Sequence, residues 1–168
     1  MFLDLGTGDG RSVARAARRR PDVLFIGLDT DPAGMRRASR HAPENALFAV
    51  AAAEALPPEL DGAIAGVSIH FPWGSLLRGL VDPSPAILGG LARVLRPGAR
   101  LTALLSVTAR DGGEPLGPAS IDRAAYAACG LGVTEWRAAA ATEIATSDSS
   151  WAKRLGRART VWRLSATR

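Results

Sequence analysis

Near-continuous apolar runs alternate along the chain with mixed stretches that begin or end at proline or glycine. The apolar runs predict strands at residues 1–5, 23–28, 46–50, 63–70, 100–107, 133–139 and 160–166. The mixed stretches predict helices at 11–20, 33–41, 85–95 and 121–129, and residues 111–120, rich in Gly and Pro, predict a loop. Strands that alternate with helices predict an α/β fold with a parallel, doubly wound sheet.

The length and composition indicate one globular domain, 1–168. The chain has 168 residues, of which 47% are hydrophobic and 22% charged, and its apolar runs are far shorter than a membrane span. One cysteine excludes an internal disulfide framework, and with only two histidines a metal site is not expected. We therefore expect a cytoplasmic protein with neither a membrane segment nor a secretory signal.

The positive charge is concentrated in the second half of the chain. Residues 1–84 carry 9 basic and 10 acidic side chains, whereas residues 85–168 carry 12 basic and 6 acidic ones. A basic segment on a near-neutral body favours an anionic partner, and nucleic acid is the usual one. The alternative is compositional, because a GC-rich coding sequence enriches arginine without functional reason.

A glycine loop follows the first predicted strand and leads into the first helix. In the segment 4–10, DLGTGDG, glycines allow close approach of a ligand to the backbone, and Asp29 follows at the end of the second strand. The spacing differs from the dinucleotide fingerprint, and Asp4 and Asp9 flank the loop. Carboxylates suit a ligand with an ammonium or sulfonium group, such as S-adenosylmethionine, whose ribose Asp29 could hold. Asp31 is the alternative for the ribose, although it is better placed to cap the next helix.

Two tryptophans stand outside the predicted core elements. Trp73, in the segment 71–77 (FPWGSLL), follows the fourth strand, where ligands of open α/β sheets lie. Trp151 lies among basic residues in the segment 149–159, SSWAKRLGRAR, an arrangement typical of base stacking combined with phosphate contact. The structural alternatives are a core tryptophan at 73 and a solvated charged turn around 151.

The motifs DLGTGDGR, AAAEALP, FPWGSLL and SSWAKRL, in this order, resemble the 16S rRNA adenine-N1 methyltransferases. That family confers aminoglycoside resistance by methylating adenine 1408 of the decoding site. The resemblance extends from Phe2 to Ser165 and implies a Rossmann-like class I S-adenosylmethionine-dependent methyltransferase. Its fold would be a mostly parallel seven-stranded sheet with helices on both faces, and its partner the 30S ribosomal subunit, bound by a monomer.

The resemblance also implies roles for individual residues. Trp73 and Trp151 would sandwich the flipped adenine, and Ser149 would help to hold the second tryptophan's loop. The residues expected to bind the cofactor are Asp4, Gly6, Gly8, Asp29, Ala53 and Glu54. The residues expected to bind RNA are Lys153, Arg154, Arg157 and Arg159. No general base is expected, because adenine N1 has a free lone pair at neutral pH; His70 is therefore expected to be structural.

The chain departs from the family pattern at two places. It starts on the first strand, without the family's N-terminal extension, so either the start codon was placed too far downstream or the extension is dispensable here; its segment 109–120 is also shorter than the family's. Two alternatives of other classes remain: a small-molecule S-adenosylmethionine methyltransferase, which would not need the basic segment, and a non-catalytic RNA-binding protein, which would not bind the cofactor.

Overall fold

The computed structural model describes residues 1–107, 114–147 and 160–168. Within these ranges, seven strands form one sheet in the order β3-β2-β1-β4-β5-β7-β6. The first five strands are parallel, and β7 runs antiparallel to both β5 and β6, which confirms the predicted mostly parallel sheet. The strands are β1 (Phe2–Leu5), β2 (Phe25–Asp29), β3 (Ala46–Val50), β4 (Ile64–His70), β5 (Leu95–Leu105), β6 (Gly132–Ala138) and β7 (Trp162–Thr167).

The helices include the four predicted from the sequence and two that were not. The predicted ones are α1 (Arg11–Arg19), α2 (Pro32–Arg40), α4 (Pro85–Val94) and α5 (Arg123–Ala128). The additional ones are α3 (Gly74–Val81) and the six-residue α6 (Ala141–Thr146). Two short 3₁₀ turns, Ala53–Ala55 and Pro58–Leu60, connect β3 to β4. Of the described helices, none is long and apolar enough to cross a membrane.

Alternate side chains of β1 meet helices on opposite faces of the sheet. Leu3 and Leu5 belong to the main apolar core, which they share with buried leucines of α3 and α4 such as Leu80. Phe2 and Asp4, at the alternate positions, line a cleft together with residues of α1. Successive side chains of the strand therefore point to opposite faces of the sheet, where helices cover them, and the carboxyl edge of the sheet stays open.

Strand β5 begins earlier than its predicted start at residue 100. It starts at Leu95 and continues through Pro97 and Gly98, which the sequence indicates as a break. The strand accommodates them because its register against β4 shifts between Ile64 and Gly66, and because Gly98 adopts a φ of 75°. The backbone N–H of Gly98 donates to the carbonyl of Arg168.

Candidate active site

A pocket lies where β1, β2 and β4 end at the carboxyl edge of the sheet. It brings together seven of the residues singled out from the sequence, which are separated by up to 69 positions along the chain. The parallel arrangement explains this convergence, since all parallel strands deliver their carboxyl ends to the same edge. The seven residues are Asp4, Gly6, Gly8, Asp29, Ala53, Glu54 and Trp73.

The glycine loop is held against the end of β2 by backbone hydrogen bonds. The N–H groups of Gly6 and Thr7 both donate to the Leu28 carbonyl, at 2.8 and 3.0 Å. Gly6 and Gly8 have φ values of 75° and 58°, a region that L side chains rarely adopt. A Cβ at Gly8 would have no atom within 4 Å, so the backbone there faces open space in the pocket.

Asp4 is buried beneath the loop and accepts three hydroxyl hydrogen bonds. Its Oδ2 accepts from Thr7 Oγ1 at 3.0 Å and from Ser12 Oγ at 2.7 Å, and its Oδ1 accepts from Ser68 Oγ at 2.6 Å. A carboxylate offers about four acceptor positions, so one remains for a ligand. Asp4 is only 9% exposed, and these hydroxyl groups replace the water that its carboxylate gives up on burial.

Asp29, at the end of β2, braces the glycine loop and has acceptor capacity left. Its Oδ2 accepts from the Gly8 N–H at 2.7 Å and its Oδ1 from the Asp31 N–H at 3.0 Å. Asp31 caps α2 by accepting from the N–H groups of Ala33 and Gly34, and it does not line the pocket. This arrangement favours Asp29 over Asp31 as the ribose ligand.

The pocket wall is acidic. The charged side chains that line it are Asp4, Asp9, Asp29 and Glu54, and its described lining contains no lysine or arginine. Phosphate-binding sites depend on basic side chains or N–H groups free of competing carboxylates. The wall therefore disfavours a pyrophosphate and suits a ligand that combines hydroxyl groups with positive charge.

Trp73 is a solvent-exposed ring at the mouth of the pocket. It is 75% exposed and precedes α3 as its N-cap residue, so it is not a core tryptophan. The two residues before it, Phe71 and Pro72, are buried, and Phe71 has a φ of 53°, which is unusual for a bulky residue. Such strain is typical of functional loops, and here it turns the chain so that Trp73 emerges from the end of β4.

Phe71 also anchors this loop in a small apolar cluster separate from the main core. It packs with Leu104 and Val161, and the partly buried Ile144 joins them. The Phe71 N–H donates to the Leu104 carbonyl at 2.8 Å. The loop that presents Trp73 therefore rests on β5 and on residues from either side of the segment 148–159.

His70, the last residue of β4, lines the pocket as a neutral imidazole. Burial lowers its pKa, the nearby Asp4 carboxylate raises it, and Arg163 lowers it again, with a net shift below the ordinary value of 6.5. Its Nδ1 is buried, and no described residue hydrogen-bonds to it. A neutral side chain at this position adds no positive charge to a pocket suited to a cationic ligand.

An ion network fixes α6 to the sheet. Glu143 pairs with Arg137 at 2.8 Å and with Arg163 at 3.1 Å, while Glu135 pairs with both arginines. The Arg137 hydrogen bonds and the Ala140 N–H lower the pKa of Glu143 to about 2. The Arg137 and Arg163 hydrogen bonds likewise lower the pKa of Glu135. Both carboxylates are therefore ionised at neutral pH.

Some site residues were missed, and others lie outside the described residues. The three hydroxyls that hold Asp4 were not singled out from the sequence, although parallel pairing of β1 with β4 places Ser68 directly beside Asp4. The residues that lie outside the described ranges are Ser149, Trp151, Lys153, Arg154, Arg157 and Arg159.

Comparison with known proteins identifies the family. A family model described as NpmA, 16S rRNA (adenine(1408)-N(1))-methyltransferase, matches residues 1–168. A 16S rRNA (adenine(1408)-N(1))-methyltransferase from Streptoalloteichus hindustanus is 38% identical over 95% of this chain and 81% of its own length. The enzyme of that name from Streptoalloteichus tenebrarius is 36% identical over 92% of this chain and 80% of its own length.

Solved structures give the same result. The antibiotic-resistance methyltransferase Kmr is 36% identical, with a TM-score of 0.79 over 99% of this chain and 85% of that one. A mutant 16S rRNA (adenine(1408)-N(1))-methyltransferase from Catenulisporales acidiphilia, crystallised with its cosubstrate SAM, has a TM-score of 0.87. It is 29% identical over 99% of this chain and 84% of that one. The whole-length family match and the shared fold confirm the resemblance drawn from the four motifs. The chain belongs to the family of 16S rRNA (adenine(1408)-N(1))-methyltransferases.

Proposed function

We propose that this protein methylates N1 of adenine 1408 in the 16S rRNA of the 30S subunit, using S-adenosylmethionine, and thereby confers aminoglycoside resistance. In this proposal it acts in the cytoplasm as a monomer, with residues 1–168 forming one methyltransferase domain. The observation that carries the proposal is the exposed ring of Trp73 at the mouth of an acid-lined pocket in a chain of this family.

The residues of the pocket fit S-adenosylmethionine. Asp29 has acceptor capacity for the ribose hydroxyls, and the remaining acceptor position of Asp4 and the acidic wall suit the ammonium group. The open space above Gly8 and the small side chains of Ala51 and Ala53 leave room for the nucleoside, whose adenine ring is flat. When bound, this molecule supplies an activated methyl group on a positively charged sulfonium.

Trp73 would hold the target base. Flipping a base out of its stack costs a few kcal/mol. Each base–aromatic stack returns about 1–3 kcal/mol, so Trp73 offsets part of that cost, and Trp151, which lies outside the described residues, is proposed as the second ring. Stacking requires only a ring face, and a tryptophan that is 75% exposed in the free protein offers one without rearrangement.

The chemistry needs positioning rather than proton removal. Adenine N1 is nucleophilic as it stands, so the protein has to align it with the methyl group, and alignment alone can account for several kcal/mol of a barrier. The lowered pKa of His70 keeps its imidazole neutral, which avoids repulsion of a sulfonium in the same pocket. His70 is not required as a general base, because adenine N1 has no proton to lose.

Tritium transfer from labelled S-adenosylmethionine to 30S subunits tests the proposal, followed by reverse transcription of the 16S rRNA. We expect label in the rRNA and a stop at adenine 1408, because N1 methylation blocks the Watson–Crick edge. Subunits already methylated at that position are the matched control and should accept no label. Label on the N6 amine or on small molecules of an extract would contradict the proposal, as would the absence of cofactor binding in calorimetry.

A further inference from the structure

The carboxylate of Asp4 distributes its hydrogen bonds unequally between its two oxygens. Oδ2 accepts from Thr7 Oγ1 at 3.0 Å and from Ser12 Oγ at 2.7 Å. Among the described residues, Oδ1 accepts from Ser68 Oγ alone, at 2.6 Å. Each carboxylate oxygen offers about two acceptor positions, so Oδ2 is filled and Oδ1 has one position left. The oxygen that remains available to a ligand is therefore the one that Ser68 holds.

Ser68 approaches Asp4 from outside the acid-lined pocket. It lines the cleft between the sheet and α1, and it is not among the described residues that line the pocket. Asp4 lines both the cleft and the pocket, whereas Thr7 and Ser12 line the pocket themselves. The Ser68 hydroxyl can therefore hold the carboxylate without taking up space in the pocket, and its effect on a ligand would pass through Asp4.

The sheet fixes the position of Ser68. The residue lies within β4, between two strands, and is in register with Asp4 on β1 and with Thr102 on β5. Residues in register on neighbouring strands project from the same face, so strand pairing itself brings the hydroxyl to the carboxylate. The 2.6 Å distance is typical of a charge-assisted O–H···O⁻ bond, which is about twice as strong as a neutral one.

Asp4 differs from the other carboxylates of the pocket in its burial. Of the four acidic side chains in the described lining, Asp4 alone is buried. Asp29 is already engaged by the N–H groups of Gly8 and Asp31. A buried carboxylate interacts more strongly with a cation than an exposed one, and its orientation is set by protein donors rather than by water. Asp4 is therefore the carboxylate whose orientation matters most to a positively charged group.

We propose that Ser68 is a positioning residue for the cosubstrate: its hydroxyl holds Asp4 Oδ1 so that the remaining lone pair of that oxygen meets the ammonium group of S-adenosylmethionine. This inference rests on the proposed function, in which Asp4 lies against that ammonium group. Hydrogen bonds weaken steeply when donor and acceptor are misaligned. Loss of the Ser68 hydroxyl should therefore weaken the ligand although it removes no direct contact with it.

The test compares two ligands by calorimetry: S-adenosylhomocysteine and its analogue without the amino group. In Ser68→Ala we expect the affinity for S-adenosylhomocysteine to fall about 5-fold to 20-fold, because a charge-assisted hydrogen bond loses its alignment. The affinity for the analogue should stay within about twofold, since only groups that interact show coupled losses. Ser68→Thr keeps the hydroxyl and should restore the preference for the amino group.

Thr102→Val is the matched control. It removes a hydroxyl from the residue paired with Ser68 on β5, and Thr102 is not among the described residues of the pocket lining. This variant should bind both ligands as the wild type does. Equal losses for the two ligands in Ser68→Ala would show a general loss of pocket structure and would overturn the inference. Unchanged affinity for S-adenosylhomocysteine, a threonine variant no better than alanine, or a selective loss in Thr102→Val would also overturn it.

Methylation of adenine 1408 is scored separately. Wild-type protein that binds S-adenosylhomocysteine without methylating that adenine contradicts the proposed function, while Ser68 is still judged by binding. Equal affinity of the wild type for the two ligands overturns the inference, because the ammonium group would then contribute nothing to binding. Wild-type protein that binds neither ligand overturns both.

Discussion

Replacement of Trp73 should lower the methyl-transfer activity of this protein far more than its folding stability. Removal of a core tryptophan side chain costs about 3–5 kcal/mol of folding free energy. Trp73 is 75% exposed, so only about a quarter of that burial is lost in Trp73→Ala, and we expect destabilisation of about 1 kcal/mol. Loss of one base stack, in contrast, costs about 1–3 kcal/mol in the complex with the flipped base.

The activity loss follows from the stacking energy. A factor of ten in rate corresponds to about 1.4 kcal/mol, so Trp73→Ala should lower methyl transfer to 30S subunits about 5-fold to 150-fold. Trp73→Phe should recover much of the rate, because stacking needs a ring face and not the indole N–H. Affinity for S-adenosylmethionine and for the 30S subunit should change little in either variant.

Single-turnover transfer of labelled methyl groups measures the rate, and urea unfolding measures the stability. Leu47→Ala is a matched control, since Leu47 is 52% exposed on β3 and does not line the pocket; it should leave the rate unchanged. Full transfer by Trp73→Ala would refute the stacking role. A stability loss of 3 kcal/mol or more would instead show that the ring anchors the loop.

Three further predictions concern the cofactor, the loop and pH. Asp29→Ala should lower the affinity for S-adenosylmethionine and S-adenosylhomocysteine about 30-fold in calorimetry, since two ribose hydrogen bonds of about 1 kcal/mol each are lost. Unchanged affinity would show that another carboxylate binds the ribose. Gly10→Ala should lower the free energy of unfolding in urea by about 1–3 kcal/mol, because the added Cβ would lie 2.6 Å from Phe48. In Gly8→Ala the added Cβ meets no atom, so only the backbone is strained, and the main effect should be weaker binding of the cofactor. The pKa of His70 is lower in the folded than in the unfolded state, so the unfolded state binds more protons and stability should rise with pH up to about 6.5. His70→Asn should flatten that rise, and an unchanged profile would contradict the burial of a neutral imidazole.

The strands and the glycine loop could be predicted because local signals determine them. The apolar runs that became β1, β2 and β4 are short and near-continuous, and a Gly or Asp stands at one or both ends of each, which is the pattern of strands covered on both faces. The spacing from the glycine loop to Asp29 likewise follows from one strand–helix–strand unit, and the structure places Asp29 against Gly8.

The features that were missed depend on tertiary context. Helix α3 carries buried leucines at 76, 77 and 80, a helical spacing, but it has only eight residues, so the periodic signal extends over about two turns. The six-residue α6 is too short to be stable by propensity, and it is held by the pairing of Glu143 with Arg137 and Arg163. The position of β7 between β5 and β6 follows from sheet pairing, which no local pattern indicates.

The distribution of charge around the site explains why a flipped base, rather than a whole nucleotide, would be the group admitted. The pocket lining holds four carboxylates and no described lysine or arginine. A phosphate entering the pocket would be repelled by these carboxylates, whereas a neutral adenine would not. The electrostatics therefore oppose entry of a free nucleotide with its phosphate, and a base extruded from a bound RNA is the group that can reach the methyl donor.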